Sequence, residues 1–312
     1  MADGDASCAA CGATTLVPHL RVSGAVIGEG LVPTTDRFGT ALGDIVRCTS
    51  CGHMQLDRLP RASELADAYG EAESSDYVDE EAGQRATAGA LLDEIERHVA
   101  PGALLDLGCW VGFVLAEARD RGWETRGVEP SAFASAYARE RLGLEVETAG
   151  LFEAELPERH FQAVFLGDVI EHLPDPGGAL DRIAALLAPG GVVAIARPDA
   201  GSRVARLMGS RWWSIIPTHV QYFTRGSIRT LLEARGYELR AIGTQPKTFS
   251  LGYYLGRLGG YRPGVGAALV RGSAAVGLRD RPWTPDFRDR MLVIARPRPT
   301  ATPTRSSPAA SS

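Results

Sequence analysis

The chain has no run of about 18 consecutive apolar residues, and its first residues show no basic stretch leading into an apolar one. The expectation is a cytoplasmic protein with neither a membrane span nor a secretory signal. Lysine is almost missing: Lys247 stands alone among 33 lysine and arginine residues. That bias toward arginine looks like codon composition more than function. Cysteine is scarce too, with five in the whole chain. In a reducing compartment these are thiols or metal ligands rather than disulfides.

At 312 residues and 45% hydrophobic content, the chain can bury a full α/β core and still carry an accessory module. Its net charge of -5 hides an asymmetry. Residues 61–202 carry 27 acids and 11 bases, whereas 203–298 carry 17 bases and 5 acids. An acidic middle argues against nucleic acid wrapping the whole protein. The basic last third suits an anionic acceptor or a membrane surface, or is simply solvated arginine.

The stretch Leu104-Leu105-Asp106-Leu107-Gly108-Cys109-Trp110-Val111-Gly112-Phe113 reads as a buried strand that breaks into a glycine turn and then a helix. Such a turn lets the backbone approach a ligand, and the helix start presents N–H groups to it. Glu129, 23 residues beyond Asp106, ends a second strand with a carboxylate suited to a ribose diol. The dinucleotide fingerprint G-x-G-x-x-G is absent, because Trp110 and Phe113 stand where its second and third glycines belong. A turn for a cofactor without a pyrophosphate keeps Asp106, Gly108 and Gly112, and departs only at Trp110.

Residues 1–60 hold two C-x-x-C-G turns, Cys8/Cys11 and Cys48/Cys51, around a segment of short apolar runs. Four thiolates so spaced complete a tetrahedral structural zinc site, and need neither His19 nor His53 as ligands. Residues 61–100 read as a helical linker in which Ala86 to Val99 place Ala90, Leu91, Ile95 and Val99 on one face, and Tyr77, in the loop before that helix, is either an ordinary packing aromatic or a residue that folds over the cofactor. From 101 onward, strands at 103–107, 124–129, 144–148, 162–167 and 191–197 alternate with helices near 112–121, 131–141 and 177–187. Thr224 reads as the N-cap of a helix through Arg235, and strands near 237–243 and 291–295 follow as neighbours. The expected fold is α/β, a doubly wound seven-stranded sheet over 101–247 plus 289–297, with a helical insertion at 248–288 and a disordered tail at 298–312.

Over about 102–247 the chain resembles the class I S-adenosylmethionine-dependent methyltransferases, particularly those similar to the ubiquinone-pathway O-methyltransferases. The resemblance rests on Asp106–Gly112, Val128-Glu129-Pro130, the segment Asp168–Pro176 and Leu187-Ala188-Pro189-Gly190-Gly191. With a four-cysteine module in front, it looks like bacterial enzymes that methylate sugars, glycans or secondary metabolites. The resemblance implies that Gly108 and Gly112 border the methionine moiety, that Glu129 binds the ribose, and that Leu151 and Phe152 flank the adenine. Asp106, Pro130, Gly167 and Asp168 complete the implied cofactor set. In the ubiquinone-type relatives an acid, acid, histidine trio is associated with a divalent cation, and here Asp168 replaces the longer Glu.

Methyl transfer to a hydroxyl needs an aligned acceptor and a base. His172, with Asp168 and Glu171 to orient it, is one candidate, and His219 is the second. A structural hydrogen bond is the competing role for each. Arg211-Trp212-Trp213 is either a stacking platform or a lid packed on the core. The expected partner is a small-molecule or glycan acceptor, anionic or lipid-linked, and no nucleic acid. C-methylation of a nucleotide-linked sugar, an RNA methyltransferase and a non-catalytic cofactor-binding protein are the alternatives. Against RNA, residues 1–60 carry 6 acids and 4 bases and lack a positive footprint.

Overall fold

The computed structural model describes residues 7–24, 38–61 and 78–299. Tyr77 and the tail from residue 300 lie outside the described residues. Strands β1 (Leu16–Leu20), β2 (Ile45–Cys48) and β3 (Met54–Leu56) come first. After them come β4 (Ala103–Leu107), β5 (Glu124–Val128), β6 (Val146–Glu147), β7 (Phe161–Gly167) and β8 (Leu187–Pro198). The two sheets are completed by β9 (Gln221–Tyr222), β10 (Tyr237–Thr244) and β11 (Arg290–Pro297). The helices are α1 (Glu81–Glu96), α2 (Phe113–Asp120), α3 (Ala132–Leu142), α4 (Pro176–Leu186), α5 (Arg203–Met208), α6 (Arg225–Ala234), α7 (Leu251–Arg257) and α8 (Pro263–Ala275).

Seven strands form one sheet in the order β10-β11-β8-β7-β4-β5-β6. The pairs among β8, β7, β4, β5 and β6 are parallel, and β11 runs antiparallel to both its neighbours. All five residues of β4 are buried, as a central strand covered on both faces requires. Alternation sorts its side chains: Leu105 and Leu107 join a core with Leu180, Ile183, Ile228 and Leu231 of α4 and α6. Leu104 joins the opposite core with Leu91, Leu92 and Ile95 of α1 and Leu115 of α2. Helix α1 is therefore part of the core packing, and its buried face differs from the sequence expectation. Ala90 is exposed and Leu92 is fully buried.

Local signals fix several ends. Ser131 Oγ accepts from Ala134 N to cap α3, and Thr224 forms a capping box with Ser227 at α6, the N-cap expected there. Strand β8 starts at Leu187, earlier than expected, with a register irregularity between Leu187 and Val192. Strand β6 is only two residues long.

A second, four-stranded sheet has the order β1-β2-β3-β9. Its first three strands belong to the cysteine-bearing segment, and its fourth comes from residues beyond β8. Ile45, Met54 and Leu56 share a core with Trp212, Ile215, Val220 and Tyr222. A piece too small to bury its own core thus borrows one from the larger domain. Among the described residues, no helix is long and apolar enough to cross a membrane.

Candidate active site

The parallel strands deliver their C-terminal ends to one edge, where open α/β sheets take ligands. After β4 the chain turns sharply: Gly108 N and Cys109 N both donate to Val128 O, at 2.8 and 3.2 Å. Gly108 has φ 73° and lies so close to Val169 that a Cβ would stand 2.6 Å from Val169 Cγ2. Gly112 has φ 87°, and a Cβ there would stand 2.6 Å from Leu144 Cδ1. Both positions need glycine, for backbone and for space.

Trp110 also has positive φ, 49°, although it carries a full side chain. It packs against the buried cluster of Val111, Phe113 and Ala134, as Val78, Phe133 and Tyr137 also do, and its Nε1 is buried without a hydrogen-bond partner among the described residues. The Glu129 carboxylate ties this turn to the next strand, accepting from Trp110 N and Ser131 N, each at 2.8 Å. Burial pushes Glu129 up to about 7, against the pull of those two N–H groups. Asp106, buried beside it, is raised by burial and by Glu129. Pro130 is half-buried after Glu129, Leu151 is half-buried against the first core, and Phe152 is exposed.

At the end of β7, Gly167 lies against the ring of Phe165. Asp168 follows in a left-handed conformation, φ 55°. Its carboxylate accepts from Lys247 Nζ and from Arg290 Nη2, both at 2.6 Å. The attraction of Arg290 and Lys247 outweighs burial and holds the carboxyl well below its usual range. Asp168 therefore faces two cations, Lys247 and Arg290, neither of them a neighbour in sequence. The lone lysine was visible in the sequence, but its partner across 79 positions was not.

His172 Nδ1 instead lies 2.8 Å from Thr218 O, and His219 Nδ1 lies 2.7 Å from Ser214 O. A carbonyl only accepts, so each ring holds its proton on Nδ1 and has Nε2 as its basic nitrogen. The rings meet edge to face with centroids 4.7 Å apart. His219 is buried, which keeps it neutral by pushing its pKa well down, whereas His172 is partly open. Glu171 adjoins both: one ligating atom from each of the three lies within 4.8 Å of the others. Both Glu171 carboxylate oxygens are buried and without a hydrogen-bond partner among the described residues. Burial raises Glu171, opposed chiefly by the Arg197 guanidinium.

Trp212 is buried in the core, and Trp213 is half-buried with its Nε1 donating to Asp289. From Trp213 an aromatic row continues through Phe287 and Trp283 to Tyr254, whose hydroxyl donates to Lys247 O.

In the small sheet, Cys8, Cys11, Cys48 and Cys51 bring their sulfurs within 4.8 Å of one another. Cys8 to Cys51 is 3.5 Å and Cys11 to Cys48 is 3.6 Å. A tetrahedral four-thiolate zinc with bonds of about 2.3 Å has edges of about 3.8 Å, so the donor set fits. Gly12 and Gly52 close the turns with φ 73° and 74°, their N–H groups donating to Cys8 O and Cys48 O.

The strand order, with its one antiparallel member next to last, is that of the class I S-adenosylmethionine-dependent methyltransferases. A family described as "Methyltransferase domain" matches residues 80–242, just over half of the chain. The chain belongs to this family. The ubiquinone biosynthesis O-methyltransferase of Nitrobacter winogradskyi is 34% identical over 96 residues, which cover 29% of this chain and 36% of that protein. The C-methyltransferase NovU of Streptomyces niveus is 31% identical over 147 residues, which cover 45% of this chain and 34% of that one. The matches thus span little more than a third of these relatives. Among solved structures, a chain from the complex between the Haloferax volcanii Trm112 methyltransferase activator and a putative methyltransferase aligns with TM-score 0.51 at 17% identity. The alignment covers 77% of this chain and 100% of that chain. That likeness concerns the fold alone.

Proposed function

We propose that the chain transfers a methyl group from S-adenosylmethionine to a hydroxyl oxygen of a small-molecule or glycan acceptor, with His172 as general base. The sulfonium supplies the methyl group, and the bond to sulfur breaks as the bond to oxygen forms. The chain's part is to seat, align and deprotonate. The Gly108–Gly112 turn accepts the methionine moiety, with Asp106, Gly167 and Asp168 around it. Glu129 receives the ribose hydroxyls beside Pro130, and Leu151 and Phe152 flank the adenine.

The observation that carries the base assignment is the 2.8 Å contact of His172 Nδ1 with Thr218 O, which makes Nε2 the basic nitrogen of a partly open ring. When Nε2 takes the acceptor's proton, the neighbouring Glu171 carboxylate stabilises the imidazolium. His219, neutral and buried behind it, limits how that ring can turn. Cys8, Cys11, Cys48 and Cys51 are assigned to a structural zinc ion that closes the small sheet.

For the acceptor, Lys247 and Arg290 support an anionic group, and the aromatic row from Trp213 to Trp283 supports a flat ring beside it. This supports a second reading, C-methylation of a nucleotide-linked sugar. Cells fed methyl-labelled methionine, with and without the gene, test the function. A labelled metabolite found only with the gene supports it, and release of the label by ether cleavage distinguishes oxygen from carbon. Equal metabolite profiles contradict it.

A further inference from the structure

The cysteine-bearing ribbon is joined to the loops that hold the histidine pair by more than proximity. Strand β3 pairs with β9, Gln55 opposite Gln221 and Met54 opposite Tyr222. Just before β9, Leu56 N donates to Val220 O at 3.1 Å, and Val220 N donates to Glu171 O at 2.9 Å. Val220 is thus hydrogen-bonded to the ribbon on one side and to the Glu171–His172 turn on the other. A second link runs through side chains. His53 Nε2 lies 2.8 Å from Gln221 Oε1, and Gln221 Nε2 reaches Leu173 O and Pro174 O at 3.3 and 3.4 Å. His53 in turn is tied to the metal-binding turn, since its own carbonyl accepts from Cys48 N at 2.8 Å.

Both links lie just after the carbonyls that set the histidine tautomers. Thr218, whose oxygen meets His172 Nδ1, is two positions from Val220, and Ser214 shares the segment packed on Ile45, Met54 and Leu56. Residues 214–222 therefore lie as a strap between the ribbon and the Glu171–Pro174 turn.

We propose that the four-cysteine ribbon is a positioning element of the methyltransferase site: through the pairing of β3 with β9 and the His53–Gln221 bond, it holds the strap that orients His172 and His219. The inference rests on the general-base reading above. It makes His53 and Gln221 positioning residues, which act through the strap and not on the acceptor. It also gives the zinc ion a reason to sit in a methyltransferase without touching the chemistry, because the small sheet has too little core to keep its own shape.

The test uses the zinc-loaded full chain labelled with nitrogen-15 at its six histidines. In the wild type, the ring signals of His172 and His219 should each report a proton on Nδ1. His53→Phe keeps an aromatic ring against Phe223 while removing the bond to Gln221. It should mix the tautomers of His172 and speed amide exchange at Val220 at least tenfold, with zinc content unchanged and S-adenosylhomocysteine affinity within twofold. His53→Gln, which can donate from the same place, should restore both signals. Stripping zinc from the wild type with a chelator is the second perturbation and should give the same two changes. Unchanged tautomers and unchanged Val220 exchange under both perturbations overturn the proposal. Failure of the wild type to bind S-adenosylhomocysteine would instead sink the proposed function and leave the two positional signals still readable.

Discussion

His172 and His219 meet edge to face, their ring planes at 69° and both Nδ1 protons given to backbone carbonyls of one short segment, Thr218 O and Ser214 O. The geometry ranks the two bases. His172 is partly open, next to Glu171, while His219 is buried and held neutral. His172→Gln should lower product formation about 100-fold, the scale of a lost general base. His219→Gln should lower it less, and neither should change S-adenosylhomocysteine affinity more than twofold. The measurement is the methyl-labelled metabolite accumulated by cells carrying each variant. Equal losses, or none, would contradict the ranking.

Glu129 supplies a pH signature. Its carboxyl rises from an ordinary 4.5 to about 7 because it is buried. A carboxyl raised by folding contributes stability fully present below 4.5 and lost as the pH rises through about 7, up to about 3 kcal/mol in all. Two ribose hydroxyls donating to the ionised form would offset that loss. Cofactor-product affinity should therefore tighten between pH 6 and 8, with proton release seen as a dependence on buffer ionisation heat. Glu129→Gln should abolish both the pH dependence and the proton release.

The seven-stranded fold was legible in the sequence because its signals are local. The apolar run of β4, the glycines at 108 and 112 and the cap at Thr224 each act within a few residues. What was missed depends on long-range pairing. Nothing in the spelling of Gln221–Tyr222 shows that this strand completes the cysteine ribbon's sheet, nor that Lys247 and Arg290 meet at Asp168. The partners of the expected trio were equally hidden: Asp168 pairs with Lys247 and with Arg290 of β11, and His172 Nδ1 meets Thr218 O, all distant in sequence.

Trp110 sets strain against packing. Its left-handed backbone costs about 1 kcal/mol, and its half-buried indole contributes roughly 2 kcal/mol against the cluster of Val111, Phe113 and Ala134. Packing wins, so Trp110→Gly should lower the unfolding free energy by roughly 1 kcal/mol, measured by denaturant titration. With the indole taken up by that packing, affinity for S-adenosylhomocysteine should change less than threefold. A tenfold loss would mean that the indole lines the pocket.

Lys247 and Arg290 test the acceptor. Once an acceptor is known from metabolite comparison, Lys247→Met should raise its KM at least tenfold if it carries a carboxylate or phosphate, with kcat changed less than threefold. Arg290→Gln should act in the same direction, and each of the two changes should also lower stability, since each leaves Asp168 with one partner instead of two. An acceptor without an anionic group, with KM unchanged in Lys247→Met, would remove the anion role.

The whole reading stands on the edge formed by Gly108, Gly112 and Glu129 as the seat of S-adenosylmethionine. Calorimetry of S-adenosylhomocysteine binding should give saturable one-to-one binding to the wild-type chain and at least tenfold weaker binding to Glu129→Ala. No binding to the wild type, or equal affinity in the variant, would contradict it.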